Sequence, residues 1–162
     1  MRYSTTKELN IGFVGKYNLQ DAYKSITESL SIAGTYISRK VKCHFIDCEQ
    51  ITPENVAEKL NGMDGYVICP GFGDRGIEGK ITAAQYLREN NLPTLGICLG
   101  MQIMAIEFAR HVLGYTDANS TEFNLETSHP VIDKMEEQKN QVFMGATMRL
   151  GGFECKLLQG SI

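Results

Sequence analysis

The chain has 162 residues, of which 43% are apolar and 22% charged, and its formal net charge is −3. This length and apolar content suit one well-buried domain. The mild acidity and the lack of a basic run interleaved with aromatic residues exclude nucleic acid as a main partner. No window reaches the ~18 apolar residues that a membrane span requires. We therefore expect a cytoplasmic protein with no nucleic-acid or membrane partner.

Strand-like and helix-like segments alternate along most of the sequence. Short apolar runs predict strands at residues 11–14, 41–46, 65–69 and 94–97. Helical spacing of apolar residues, with Pro53 in one first turn, predicts helices at residues 21–33, 53–60, 79–89 and 101–113. This order favours a parallel sheet covered by helices on both faces, in which ligands collect beyond the carboxyl ends of the strands.

The sequence changes character after residue 114. It is polar to about residue 140, and a strand or hairpin is predicted around residues 148–158. Residues 144–151 contain two glycines and few apolar anchors, which predicts a mobile segment.

Five cysteines are spread along the chain without a close pair, which favours reduced thiols. Cys43 and Cys48 flank His44 in and after a predicted strand. Because strand neighbours point to opposite faces, we predict core packing for these cysteines and no metal site.

The stretch LGICLGMQ, residues 95–102, places Cys98 between Gly96 and Gly100, where a strand runs into an apolar helix. Such a turn lets strand and helix approach closely and exposes a nucleophile. We therefore expect Cys98 at the carboxyl end of a central strand, with its backbone in a sparsely populated conformation. The helix amino terminus stabilises a thiolate, and the free N–H groups of its first turn can bind an oxyanion. The alternative is a small cysteine packed beneath a buried helix.

The motif GICLGMQ at residues 96–102 resembles the nucleophile motif of class I glutamine amidotransferases. Four further segments are similar to the glutaminase domain of the CTP synthase family, in the same order. They are GKYNLQDAYKSI (15–26), PGFGDRGIEGKI (70–81), ANSTEF (118–123) and MGATMRLG (144–151). The resemblance implies a flavodoxin-like three-layer α/β/α sandwich with a mostly parallel sheet. It also implies one glutamine amidotransferase type 1 domain over residues 1–162.

The resemblance assigns roles to residues at matching positions. Cys98 is the implied nucleophile, and Leu99 and the Gly71 loop are the implied oxyanion donors. The implied glutamine-binding residues are Gly71, Phe72, Leu99, Gly100, Met101, Gln102 and Glu122. The residues alone agree for Glu122, because the ammonium group of free glutamine requires an anionic partner.

In this family, ammonia released from L-glutamine passes to a synthetase domain that aminates UTP to CTP. ATP and Mg belong to that synthetase domain, GTP activates the glutaminase half, and no cofactor is implied for the glutaminase domain itself. The implied effector and lid positions are Arg75, Gly76, Glu78, Thr147 and Arg149.

Three departures from the family pattern bear on activity. Pro70 stands where the family has a glycine, and proline has no N–H, so a second oxyanion donor must come from Gly71 or Phe72. The first motif is one residue shorter than usual between Tyr17 and Asp21. The family's late histidine base and its glutamate are absent, and the motif order places His129 well before their position.

A cysteine nucleophile of this class requires a histidine oriented by a carboxylate. We therefore expect a partial domain whose turnover alone is close to undetectable, although Cys98 still reacts with electrophiles. A non-catalytic binding module that keeps the fold is the alternative. A cysteine hydrolase on a related fold is disfavoured, because ANSTEF and DRGIEG have no place in it.

Overall fold

A parallel sheet of four strands lies at the centre of the molecule. The computed structural model describes residues 7–17, 20–134, 152, 154, 156 and 159–160. The strands are β1 (Glu8–Gly15), β2 (Lys40–Asp47), β3 (Gly65–Ile68) and β4 (Thr94–Gly96), in the order β2-β1-β3-β4. All three pairings are parallel, so the carboxyl ends of the strands meet at one edge of the sheet.

Helices connect these strands. They are α1 (Lys24–Tyr36), α2 (Val56–Lys59), α3 (Ile77–Glu89) and α4 (Leu99–His111). Two predicted helices are shorter at their start than expected. A 3-10 turn, Gln20–Tyr23, precedes α1. Before α2, the Asn55 side chain accepts from the Thr52 N–H at 2.8 Å, and this turn replaces the predicted first residues of the helix.

The two faces of the sheet carry different helices. Phe13 and Val67 point to one face, where they cluster with Tyr23 beneath α1. Val14 and Tyr66, their neighbours along the strands, point to the other face and pack against α2 and α3. Ile68 packs with both α3 and α4 on that second face. The predicted three-layer α/β/α sandwich with a parallel sheet is confirmed.

Two expectations about burial are wrong. The apolar sequence of α4 predicts a helix buried all round, yet Met101 and Phe108 are 53% and 46% exposed. Cys43 is also exposed rather than in the core, whereas Cys48 is buried as expected. Cys48 opens a 3-10 turn after β2. The four described cysteines are free thiols.

The polar segment after α4 contains a small parallel pair that the sequence does not predict. β5 (Asn119–Ser120) pairs with β6 (Pro130–Ile132). Strands of two and three residues are too short to show a period of alternation. Phe123 and Ile132 pack against the α3–α4 cluster, so this segment is fixed beside α4. The predicted strand at 148–158 and the lid at 144–151 lie outside the continuously described residues.

Within the described part of the chain, no helix is both long and apolar enough to cross a membrane.

Candidate active site

Cys98 lies in a sharp turn between β4 and α4. It precedes the first residue of α4, with φ 53° and ψ −111°. A positive φ is uncommon for a non-glycine residue and costs about 1–3 kcal/mol. Cys98 is exposed to solvent. The predicted sparsely populated conformation is confirmed. Among the described strands, however, β4 lies at the sheet edge and not at its centre as expected.

Two glycines allow this turn to form. A Cβ on Gly96 would lie 2.7 Å from the backbone of Gly100, and a Cβ on Gly100 would lie 1.9 Å from the carbonyl oxygen of Ile68. Real Cβ atoms do not approach backbone atoms so closely, so only glycine fits at these positions. The predicted close approach of strand and helix is confirmed.

Most N–H groups of the first turn of α4 already have acceptors. The Gly100 N–H donates to the Ile97 carbonyl at 2.9 Å. The Met101 and Gln102 N–H groups donate to the Cys98 carbonyl at 3.1 and 3.2 Å. The Leu99 N–H lies outside this set, next to the Cys98 thiol in sequence. It is therefore the first-turn donor that an oxyanion would meet.

The loop after β3, residues 70–73, borders this turn. A Cβ on Gly71 would lie 3.6 Å from Leu99 Cδ2, which places Gly71 against the start of α4. The Gly73 N–H donates to Glu122 Oε1 at 3.3 Å. Phe72 between them is exposed. The structure thus brings the loop, the elbow and the Glu122 carboxylate together, as the resemblance implies.

Glu122 is positioned by the small β5–β6 unit. The buried Ser120 accepts the Glu122 N–H through its hydroxyl at 3.1 Å and the Phe123 N–H through its carbonyl at 3.0 Å. Phe123 is anchored in the apolar cluster beside α4. A half-buried carboxylate at this place can accept the ammonium group of an amino acid.

Two buried lysines beneath the loop are missing from the sequence-based site. Lys80 is fully buried and donates to the Cys69 carbonyl at 2.7 Å. Lys16, 7% exposed, donates to the Gly73 carbonyl at 3.3 Å and to the Phe72 carbonyl. A signal for Lys80 exists in the sequence, because positions 77, 80, 81 and 84 form one helical stripe that is otherwise apolar.

Burial favours the neutral form of each of the four titratable groups beneath the loop. It lowers the pKa of Lys80 and Lys16, because a buried ammonium loses its hydration. It raises the pKa of the Cys69 thiol to about 12 and also raises that of Cys48. The two buried thiols are therefore protonated and inert at neutral pH.

The effector positions are only partly described. Arg75 pairs with Glu49 at 3.2 Å, and Gly76 has φ 74° just before α3. Glu78 pairs with Arg110 at 2.9 Å, which ties the start of α3 to the end of α4. Thr147 and Arg149 lie outside the described residues. The predicted effector role of these positions stays a prediction.

The three histidines make contacts away from the elbow. His44 Nε2 bonds the Asn10 side chain at 2.9 Å. His111 is the last residue of α4, a 13-residue helix, so at ~1.5 Å per residue it lies about 20 Å along the helix from Cys98. His129 pairs with Asp117 and stacks on Tyr115, whose N–H bonds the last turn of α4.

In residues 7–17 and 20–134, no group of three or more histidine, cysteine, aspartate or glutamate side chains is arranged to hold a metal ion.

Comparison with known families agrees with this geometry. The family described as "Glutamine amidotransferase class-I" matches residues 18–161. The chain therefore belongs to the class I glutamine amidotransferase family.

The relatives found are CTP synthases, as the sequence resemblance predicts. The chain is 62% identical to the CTP synthase of Bacteroides fragilis over 161 residues and 54% identical to that of Porphyromonas gingivalis over 162 residues. Each alignment covers 99% of this chain but 30% of the relative. The chain thus spans about a third of the length of these curated relatives.

A solved structure of the glutaminase domain of Trypanosoma brucei CTPS with bound acivicin is also similar. Its TM-score is 0.75 at 37% identity, over 82% of this chain and 52% of that one. The chain corresponds to the glutamine amidotransferase part of these enzymes.

Proposed function

We propose that the protein cleaves the side-chain amide of L-glutamine through a thioester on Cys98 and serves as the glutaminase half of a CTP synthase. The observation that carries this proposal is the exposed Cys98 with φ 53° at the start of α4. A packed structural cysteine has no reason to hold a strained conformation at a glycine-built turn.

The proposed reaction begins with attack of the Cys98 thiolate on the amide carbon of glutamine. The carbonyl electron pair moves to oxygen, and the oxyanion accepts from the Leu99 N–H and from a donor in the 70–73 loop. Pro70 supplies no N–H, so the second donor is Gly71 or Phe72. Collapse of the intermediate expels the amine, which leaves as ammonia after gaining a proton. Water then hydrolyses the thioester to glutamate and restores the thiol.

Glu122 is the proposed anionic partner of the substrate ammonium group, and Gln102, half-buried one turn from Cys98, is a proposed partner of its polar groups.

The ammonia would be used by a synthetase domain that aminates UTP with ATP and Mg. GTP would act as the activator through the segment around Arg75. These partners follow from the family resemblance and are part of the proposal.

A histidine base is required for turnover, and each of the three histidines is engaged elsewhere. Loss of a general base typically costs about 10²- to 10⁴-fold in rate. We therefore propose that this chain alone captures electrophiles at Cys98 but releases ammonia from glutamine barely or not at all. The engagement of all three histidines also favours the second candidate, a non-catalytic module that keeps the amidotransferase fold.

Acivicin, an electrophilic glutamine analogue, separates the two candidates. The wild-type chain and a Cys98→Ser variant are incubated with acivicin, and adducts are located by peptide mass spectrometry. The glutaminase proposal predicts one adduct, on Cys98, and none in the variant. No adduct on the wild-type chain, together with an unmodified Cys98, would support the non-catalytic module. Ammonia release from glutamine is measured in parallel and is expected to stay near background.

A further inference from the structure

Both ends of the loop that borders Cys98 are held by buried ammonium groups. At its start, Lys80 Nζ lies 2.7 Å from the carbonyl oxygen of Cys69. At its end, Lys16 Nζ contacts the carbonyl oxygens of Phe72 and Gly73. The lysines come from α3 and from the residue after β1, so neither belongs to the loop that it holds.

A lysine at position 80 is costly for the fold. Its neighbours on the helix stripe, Ile77, Ile81 and Ala84, belong to the apolar core between α3 and α4. Burial lowers the pKa of Lys80, because this environment is unfavourable for a charge. A methionine would fill a similar volume without that penalty. What lysine adds is a charged donor to the Cys69 carbonyl, whose hydrogen bond is stronger than a neutral one.

Peptide geometry converts these carbonyl contacts into N–H directions. The C=O and N–H of one peptide unit point in opposite directions. Because Lys16 holds the Phe72 carbonyl, the Gly73 N–H of the same peptide points the other way, and it meets Glu122 Oε1 at 3.3 Å. Between the two fixed ends, the Gly71 and Phe72 N–H groups are the donors that can face the elbow.

We propose that Lys80 and Lys16 are positioning residues that clamp the 70–73 loop by its carbonyls, so that its remaining N–H groups face the reacting carbonyl at Cys98. They act through the backbone and do not touch the substrate. This inference rests on the proposed function, because the loop matters only if Cys98 reacts with a glutamine-like molecule. It explains how a loop that has lost one N–H to Pro70 keeps a defined geometry.

The test compares Lys80→Met with a matched control on the same helix, Leu87→Ala. Leu87 is fully buried but packs in the cluster on the β1–β2 side. Its truncation is expected to lower Tm without touching the loop. For each folded variant, the rate of Cys98 capture by acivicin is divided by the rate of its alkylation by iodoacetamide. Hydrogen exchange of the peptide spanning residues 68–75 is measured in parallel.

The clamp predicts a ratio about 10- to 100-fold lower for Lys80→Met, since displacement of a positioned group by about 1 Å has this cost. Exchange in residues 68–75 should rise, while Leu87→Ala keeps the wild-type ratio and the wild-type exchange in this peptide. A folded Lys80→Met protein with both values unchanged would overturn the proposal, as would an equal loss in Leu87→Ala.

If Lys80→Met does not fold, Lys16→Met replaces it with the same two readouts, because Lys16 holds the other end of the loop. If wild-type Cys98 is not captured by acivicin, the proposed function fails. The clamp is then judged by hydrogen exchange alone, where faster exchange in the lysine variant supports it and unchanged exchange rejects it.

Discussion

The two loops on either side of the candidate site are stabilised in different ways. The elbow around Cys98 is held by its own backbone, through N–H groups that donate to Ile97 and Cys98 and through glycine contacts at Gly96 and Gly100. The 70–73 loop is held by side chains from elsewhere, namely Lys80, Lys16 and Glu122. The elbow is local in sequence apart from the contact of Gly100 with Ile68, whereas the loop depends on side chains from three separate segments.

This difference separates the chemistry of the site into two parts. In the proposed function, the elbow exposes the nucleophile and supplies one oxyanion donor, and it requires only that α4 packs on β3. The loop would supply the second oxyanion donor and contacts Glu122, the proposed partner of the substrate ammonium group, and it requires the whole sheet edge to be assembled. Substitutions in the elbow should therefore affect folding and thiol exposure, whereas substitutions around the loop should affect recognition of glutamine-like molecules.

Gly100→Ala should have the largest effect. The added Cβ would lie 1.9 Å from the Ile68 carbonyl oxygen, so α4 must move away from β3. We expect a loss of at least about 3 kcal/mol in unfolding free energy, measured by urea denaturation. Gly65→Ala is the control, because its Cβ would meet its nearest atom at 3.4 Å, and a change within about 1 kcal/mol is expected. Similar losses in both variants would contradict the tight contact.

Glu122→Gln tests the loop side of the comparison. The substitution removes the negative charge proposed to bind the substrate ammonium group but keeps an oxygen that can accept the Gly73 N–H. Since a hydrogen bond to a charged group contributes about 1.5–3 kcal/mol, acivicin capture at Cys98 should fall about 10- to 100-fold. Iodoacetamide alkylation, which does not use this contact, should be unchanged. Equal loss with both reagents would show that Glu122 acts on the elbow instead.

Strain at the elbow predicts that glycine is more stable than alanine at position 98, the reverse of the order inside a helix. At φ 53°, glycine is favoured over alanine, so Cys98→Gly should be more stable than Cys98→Ala by about 1 kcal/mol. The same pair at Glu28, an exposed position inside α1, should show the opposite order by about 1 kcal/mol. Chemical denaturation of the four variants measures both differences. An alanine preference at both positions would mean that Cys98 is unstrained.

The smallest effect is expected from the segment that carries Glu122. Hydrogen bonds from Ser128 and the neighbouring His129 hold the pKa of Asp117 well below its ordinary value of 3.8. A carboxylate whose pKa is lowered by folding stabilises the protein above its unfolded pKa and loses this contribution as the pH falls. The Tm difference between wild type and Asp117→Asn should thus be largest near neutral pH and shrink below about pH 4.

Glu126→Gln, an exposed carboxylate variant in the same segment, serves as the control for this prediction. Its Tm difference from wild type should not change with pH in the same range. A pH-independent difference for Asp117→Asn would show that the cluster around Asp117 is not held by the ionised carboxylate.

The same contrast between local and distant determinants explains how far the sequence alone could lead. The four strands along the chain, the glycine-built turn and the strained Cys98 follow from patterns contained within a few neighbouring residues. The β5–β6 pair is too short to show a pattern. The exposure of Met101 and Phe108 depends on what packs against α4, which an apolar stretch does not specify.

Lys80 shows why the rest of the site escaped prediction. A lysine in a helix is normally solvated, and the apolar residues that share its helical stripe are the sequence signal that Lys80 is buried. Its acceptor, the Cys69 carbonyl, is a backbone atom that every residue possesses and no sequence motif marks. For Glu122 the family motif is the stronger signal, since its polar surroundings resemble those of any loop glutamate.

Protection of Cys98 by glutamine tests the central claim most directly. The wild-type chain is alkylated with iodoacetamide in the presence of L-glutamine, D-glutamine or neither, and labelling of Cys98 and of the exposed Cys43 is followed by peptide mass spectrometry. A glutamine-directed nucleophile predicts that Cys98 is labelled faster than Cys43 and that L-glutamine alone slows it. Equal labelling of the two cysteines, unaffected by either enantiomer, would contradict the account.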